Sequence, residues 1–177
     1  MRGLVNKKMN IKIRKLAEAD APSFRAIRLR SLREHPEAFA LAFEEEEKDS
    51  VEVFAERFRN STPENCNFGA FVDDQMVGIA SFGRHPRLKT RHKAYIGGMY
   101  VAPEARGKGL GRALLDTIIT HARTLLELEE LVLAVTVGNQ GARALYVSTG
   151  FESYSIEPRY LKVGEQYFDI ECMMMRL

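Results

Sequence analysis

The sequence has 177 residues, 45% of them hydrophobic and 28% charged, with a formal net charge of +2. That length suits one domain able to bury roughly two-thirds of the surface its unfolded chain exposes, and the composition argues against a disordered or membrane-spanning chain. Net charge this close to zero gives no bulk electrostatic case for nucleic acid, and two solitary cysteines, Cys66 and Cys172, suit a reduced, cytoplasmic chain rather than a disulfide framework or a zinc site.

Residues 1–8 are basic but lack the apolar stretch of a secretory signal, and a flexible N-terminus is expected there. Ile11 and Ile13 alternate with Lys12 and Arg14, the period of a half-buried strand ending near Leu16. Asp20 reads as the cap of a helix with Pro22 in its first turn and Phe24, Ile27 and Leu32 along it, ending about Glu34 before Pro36. Phe39 and Phe43 fall in a stretch with no clean period, where they pack under a loop or line a pocket mouth. Glu44 to Glu47 read either as a solvated helix start or as a landing site for a cationic substrate. Ser50 can cap a second helix, with Val51, Phe54 and Phe58 on one face and an end near Asn60. Residues 68–72 and 76–82 flank Asp73-Asp74-Gln75 as a β-hairpin. The following segment, with Arg84, Arg87, Lys89, Arg91 and Lys93 around His85 and His92, is expected to be an exposed connection. It holds no aromatic residue for base stacking, and reads as a solvated loop or as a contact to an acidic ligand, a cofactor phosphate or RNA.

Residues 95–101 read as a strand carrying Gly97-Gly98 at its middle, a pair that packs poorly and marks a bulge or a close backbone approach. Then comes Arg106-Gly107-Lys108-Gly109-Leu110-Gly111-Arg112 at the start of a helix. Its glycines permit positive φ and gather amide N–H groups, the helix adds unpaired N–H groups and a positive dipole end, and the three cations add charge, so an anion is attracted. Leu110, Leu114, Ile118, Ala122 and Leu125 carry the helix to about Leu126. Residues 131–137 suit a strand covered on both faces and parallel to the one before the loop. Asn139 caps a short helix over 141–149, closed by Gly150. A strand over 151–156 is broken by Pro158, Gly164 turns the chain, and 167–177 form the last strand, with Phe168, Ile170, Cys172 and Met174 on one face and the run Met173 to Met175 in core packing. The loop is neither of two common phosphate motifs: a dinucleotide fingerprint needs glycine where Arg112 stands, and a nucleotide triphosphate loop needs Ser or Thr where Gly109 follows Lys108.

Arg-x-x-Gly-x-Gly between a strand and a helix, followed by Asn139, Tyr146 and Gly150-Phe151, resembles the GNAT superfamily of acyl-CoA-dependent N-acetyltransferases, most strongly over 95–151. The resemblance implies an α/β fold of the α+β kind: a mixed, mostly antiparallel sheet of about seven strands with a V-shaped splay, flanked by about four helices, in a single N-acetyltransferase domain over 9–177. It implies acetyl-CoA as co-substrate, without a metal. The pantetheine arm would lie along Met99, Tyr100 and Val101, and the amides of Arg106, Gly107, Lys108, Gly109, Leu110, Gly111 and Arg112 would hold the pyrophosphate. Asn139 would reach the pantetheine, which its reading as a helix cap does not preclude. A backbone N–H, that of Met99, would polarise the thioester carbonyl, and Tyr146 would serve as general acid, its alternative being a core tyrosine. The implied partner is a primary amine of a small metabolite or peptide, with no nucleic acid, no membrane and a possible homodimer through the apolar last strand.

The general base is the gap. A lysine-type amine near pKa 10.4 costs about 4.6 kcal/mol to deprotonate at pH 7 and a peptide α-amine near 7.8 about 1.1. Many family members are thought to carry a glutamate on the strand before the loop, but 95–101 contain no acid, which leaves Glu44, Glu45, Glu171, Tyr154 or a water relay. The same gap leaves open a non-catalytic acyl-CoA-binding module.

Overall fold

The computed structural model describes residues 10–177, so the flexible N-terminus expected at 1–8 lies outside the described residues. Strands β1 (Ile11–Lys15), β2 (Asn65–Val72), β3 (Gln75–Arg84), β4 (Lys93–Val101), β5 (Glu130–Thr136), β6 (Glu152–Val163) and β7 (Gln166–Arg176) form one sheet in the order β1-β2-β3-β4-β5-β7-β6. Every neighbouring pair is antiparallel except β4 and β5, the two strands joined by the long crossover through the glycine loop. Helices α1 (Ala21–Glu34), α2 (Phe43–Glu46), α3 (Val51–Arg59), α4 (Leu110–Ala122) and α5 (Gln140–Thr149) flank the sheet, α2 being a single turn within the stretch that showed no period.

Two apolar layers hold the sheet. Phe24 and Ile27 of α1 and Phe54 and Phe58 of α3 pack with Phe71, Met76, Ile79 and Tyr100, and Phe24 meets Phe58 edge-on at 5.0 Å between centroids. A second core joins Leu114, Leu115, Ile118 and Ala122 of α4 to Phe68, Phe82, Ile96, Leu131, Leu133 and Met173. The β2–β3 turn is Asp73-Asp74 alone, both at positive φ (47° and 65°), the two-residue geometry that matches strand twist.

Several expectations need correction. Helix α4 stops at Ala122, because the chain must fold back into β5: Thr124 and Leu125 donate to the His121 and Ala122 carbonyls, and Leu125 packs against the core from that turn. Strand β5 is not covered alike on both faces: Leu131, Leu133 and Val135 point into the core, while on the other face Ala134 is exposed and only Thr136 is buried, under the turn after α1. Pro158 does not end its strand. It sits in a bulge of edge strand β6, where Glu157 pairs with Ile170 and Leu161 with Phe168, and a missing N–H on an edge costs no ladder bond. In β7 the expected faces hold, Ile170, Cys172 and Met174 lying on one and Met173 and Met175 on the other; Met173 and Met175 are buried in the core, while Cys172 and Met174 are half-buried. Asp20 does not cap α1 with its side chain; it accepts the Ala17 N–H at 2.8 Å and pairs with Arg14 at 2.7 Å. Ser50 makes no side-chain cap either. The basic segment is not a uniformly exposed loop: Arg84 is buried, donating to the Arg91 and Leu126 carbonyls and to Glu64 at 2.9 Å. Arg91 shares that carboxylate and Lys93 pairs with Glu130, which leaves Arg87 and Lys89 as the fully exposed cations of the run.

Candidate active site

The parallel pairing that joins the two halves of the sheet is short. Strand β4 pairs with β5 over Lys93, Ala94 and Tyr95 only; beyond Tyr95 the strands part, β4 following β3 and β5 following β7. A bulge enforces the departure. Ser81 opposes Gly97 and Ile79 opposes Tyr100, so Gly98, at φ 58°, and Met99 have no cross-strand partner. The glycine pair thus does what its poor packing suggested, and it leaves the Met99 amide outside the β3 ladder at the apex of the gap.

A cavity of about 850 Å³ fills that gap. Met99, Tyr100, Val101, Arg106, Gly107, Gly109, Leu110, Gly111, Arg112, Asn139 and Tyr146 line it, all of them singled out by the sequence. Lys108 is the exception among those residues; its ammonium leans back to the Glu104 carbonyl at 3.4 Å. Gly107 and Gly109 stand at φ 75° and 76°, and the first intrahelical bond of α4, Ala113 N–H to Gly109 O at 2.9 Å, leaves the amides of Leu110, Gly111 and Arg112 without a helical acceptor. Gly111 is small for another reason, because a Cβ there would stand 3.2 Å from Leu145 Cδ2, where α4 closes on α5. The charges are less free than the sequence implied. Arg112 Nε lies 2.9 Å from Asp116 Oδ1, and Arg106 Nε donates to the Val101 carbonyl at 3.0 Å, so the amides and dipole supply much of the attraction for an anion.

On the opposite wall, Asn139 accepts the Ala142 N–H at 3.2 Å and holds the start of α5. One turn further along that helix, Tyr146 is buried, its ring edge-on to Phe151 and its hydroxyl directed at Met99 Sδ, 3.7 Å away. Burial without a charged partner pushes its pKa up to about 12, so the phenol is a neutral donor across the ordinary pH range. The Tyr146 hydroxyl and the Met99 side chain, 47 positions apart in the chain, therefore meet across the gap.

The candidate bases are not in this cavity. Glu44 lines a neighbouring cavity of about 610 Å³, Glu45 accepts the Ala42 N–H, Tyr154 is exposed on β6, and Glu171 is buried against Arg143 at 2.8 Å, which holds it below the usual carboxylate range. The structure brings in His35, Glu37 and Ala38, which carried no signal in the sequence; with Phe39 they form the turn after α1 that covers one mouth of the gap, tied down by Thr136 Oγ1 donating to the Glu37 carbonyl at 2.7 Å. His35 Nε2 is 3.1 Å from Arg106 Nη2 and His35 Nδ1 is 3.5 Å from Glu37 Oε1. A guanidinium only donates, so Nε2 is the acceptor, which assigns the ring proton of neutral His35 to Nδ1. The one legible signal there was Phe39, read as a pocket-mouth residue.

The chain and its fold are similar to known proteins. The chain is 26% identical over 130 residues to a spermidine N(1)-acetyltransferase of Vibrio cholerae, an alignment covering 70% of this chain and 75% of that one. It spans 62% of an N-acetyltransferase of Methanocaldococcus jannaschii, 30% identical over 105 residues. Its fold superposes on a GNAT-family acetyltransferase of Streptococcus pneumoniae with TM-score 0.82 and 24% identity, over 95% of this chain and 100% of that one. A Salmonella typhimurium acetyltransferase solved with its cofactor acetyl-CoA superposes with TM-score 0.77 and 22% identity, over 95% and 94%. The family described as "Acetyltransferase (GNAT) family" matches residues 21–151, which span the glycine loop, the parted strands and Tyr146, and the chain belongs to that family.

Proposed function

We propose that this GNAT-family N-acetyltransferase binds acetyl-CoA in the gap between β4 and β5 and passes the acetyl group directly to a primary amine. The observation that carries the reading is the joint position of three features: an unpaired stretch of β4 at Gly98-Met99, the Tyr146 hydroxyl facing it, and a glycine loop with unpaired amides at one end of the same cavity. Acetyl-CoA supplies the activated thioester. The amides of residues 106–112 hold its pyrophosphate, the backbone of Met99 and Val101 pairs with the pantetheine, and Asn139 borders that arm.

The Met99 N–H then faces the carbonyl oxygen that gains negative charge as the amine attacks. Tyr146 donates a hydrogen bond to the departing sulfur. A phenol at about 12 gives its proton to a solution thiolate near 8.5 only uphill, but the burial that raises the phenol raises a thiolate beside it in the same sense. Its contribution is smaller than that of holding amine and thioester together. With no acid on β4, deprotonation falls to water or to the His35–Glu37 turn.

The two cysteines are free thiols, one buried and one half-buried, which fits a reduced, cytoplasmic setting, and no described helix is long and apolar enough to cross a membrane. The pairing of Arg84, Arg91 and Lys93 within the protein speaks against a polyanion site there. Strand β7 is interior to the sheet, so a homodimer would use edge strand β6, with Tyr154, Ile156 and Tyr160 exposed, and sedimentation analysis tests it. The decisive experiment is thiol release from acetyl-CoA with and without a panel of amines, on wild type and Tyr146→Phe. The expected result is amine-dependent release, lowered about tenfold to a hundredfold in the variant, with acetyl-CoA affinity within about twofold. Tight CoA binding without amine-dependent release would favour a non-catalytic acyl-CoA-binding module instead.

A further inference from the structure

Beside the bulge, on the face of the sheet that packs against α1, a group of polar side chains is not used by the acyl-donor site. Asn67 on β2 donates to Ser81 Oγ on β3 at 2.6 Å, and Ser81 in turn opposes Gly97 on β4. All three residues are half-buried, so this polar strip of sheet remains open. Arg28 reaches it from α1. A Cβ built on Gly98 would stand 3.6 Å from Arg28 Nη1 and 3.4 Å from Ser81 Oγ, which places both groups against the backbone of the bulge.

The rest of that guanidinium is fixed. Its Nε donates to Glu46 Oε2 at 2.7 Å, and the Phe39 ring, which lines the main cavity, lies 5.0 Å from its Cζ. Arg28 Nη1, however, is fully buried and has no hydrogen-bond partner among the described residues. A charged N–H withdrawn from water without an acceptor is costly, and such a group calls for a bound acceptor. Ser81 adds a second donor: its oxygen accepts from Asn67, which leaves the hydroxyl proton to point elsewhere. Two donors, one of them cationic, thus converge within a side chain's width of the place where the amine must meet the thioester.

The acidic run does not provide the opposite chemistry. Glu46 is buried and committed to Arg28 and, at 3.6 Å, to Arg57, while Glu44, Glu45 and Glu47 are exposed. We propose that the acceptor is an amino acid, an amine bearing a carboxylate a few ångströms from its nitrogen, and that Arg28 Nη1 and Ser81 Oγ bind that carboxylate beside Gly98. Phe39 shifts aside to admit it. This rests on the acetyl-CoA reading of the adjoining gap, and it sets the chain apart from the polyamine chemistry in the name of its Vibrio cholerae relative.

The test compares free L-amino acids with their amides, their decarboxylated amines and spermidine in thiol release from acetyl-CoA. In parallel, each compound is titrated by calorimetry into the CoA-saturated protein. Hydrogen bonds to a charged group are worth enough for about a tenfold to hundredfold preference for the carboxylate in kcat/KM and in affinity. Ser81→Ala should narrow that preference several-fold and Arg28→Gln should abolish it, both with acetyl-CoA affinity unchanged; Ser81→Ala leaves the Arg28–Glu46 pair intact and serves if Arg28→Gln does not fold. Amides, decarboxylated amines or spermidine acetylated as efficiently as the amino acids, with no effect of either variant, would overturn the carboxylate site and leave acetyl transfer standing. Amino-acid binding that depends on Ser81 without any thiol release would support the carboxylate site and refute transfer. Neither binding nor release would overturn it.

Discussion

Gly109→Val separates backbone geometry from crowding at the anion cradle. Gly109 precedes α4 at φ 76° and ψ 5°, and a Cβ there would meet no atom within 4 Å. The penalty is therefore conformational: a left-handed backbone costs an L residue roughly 1–2 kcal/mol, and a branched one up to about 3. If the loop held its shape, about 2 kcal/mol would be lost from the fold, lowering Tm by about 4–8 °C in a domain of this size. The open space around Gly107 and Gly109 makes relaxation to negative φ the easier course, and the amides then turn away from the cavity. The same 2 kcal/mol would appear as acetyl-CoA binding weakened about thirtyfold, with little change in Tm. Calorimetric titration and thermal unfolding of wild type, Gly109→Val and Gly164→Val distinguish these outcomes. Gly164, in the β6–β7 turn at φ 58° with open space around it, carries the same kind of strain away from the cradle and should leave CoA affinity unchanged. Equal CoA affinity in wild type and Gly109→Val, with Tm unchanged as well, would refute the cradle.

Two further predictions concern stability. Because burial raises Tyr146 to about 12, the unfolded chain loses its phenol proton near pH 10 while the folded chain still holds it. The contribution of the neutral phenol is complete below about pH 10 and is lost as pH rises through the folded value, about 2–3 kcal/mol in all. Urea unfolding at pH 9 and pH 11 should show about half of this loss, about 1–1.5 kcal/mol, reduced in Tyr146→Phe; an equal loss in both proteins would reject it. Arg84→Ala removes a buried cation with three acceptors and should cost about 3–5 kcal/mol in urea unfolding, whereas reversing the charges of exposed Arg87 and Lys89 should change stability by less than about 0.5 kcal/mol. A small effect at Arg84 would restore the view of this segment as a solvated loop.

Local chemistry was well written in the residues. The glycine spacing fixed a positive-φ loop at a helix start, Asp73-Asp74-Gln75 a hairpin whose turn closes on the two aspartates while Gln75 joins β3, Asn139 a cap, and the 3.6-residue period of Leu114 and Ile118 a helix against the sheet, because each depends on a few neighbours in the chain. Element ends and strand faces were less legible. Leu125 kept the helical period after the helix had stopped, and Pro158 lies in a strand because β6 is an edge, which no local window records.

What the sequence by itself determined, then, is the positive-φ glycine loop at a helix start, the paired Gly97-Gly98 weakness, and, through resemblance, Tyr146 as a distant companion on the short helix. Only the tertiary structure decided that β4 leaves β5 after Tyr95, which puts the Tyr146 hydroxyl 3.7 Å from Met99 Sδ. It alone decided that Glu46 is spent on arginines, that Arg84 is buried, that His35 and Glu37 border the cavity, and that Arg28 stands over the bulge with its Nη1 unmatched among the described residues. The physical reason is the same throughout: the meaning of a charge depends on which partner lies across the sheet, and that partner is tens of residues away in sequence.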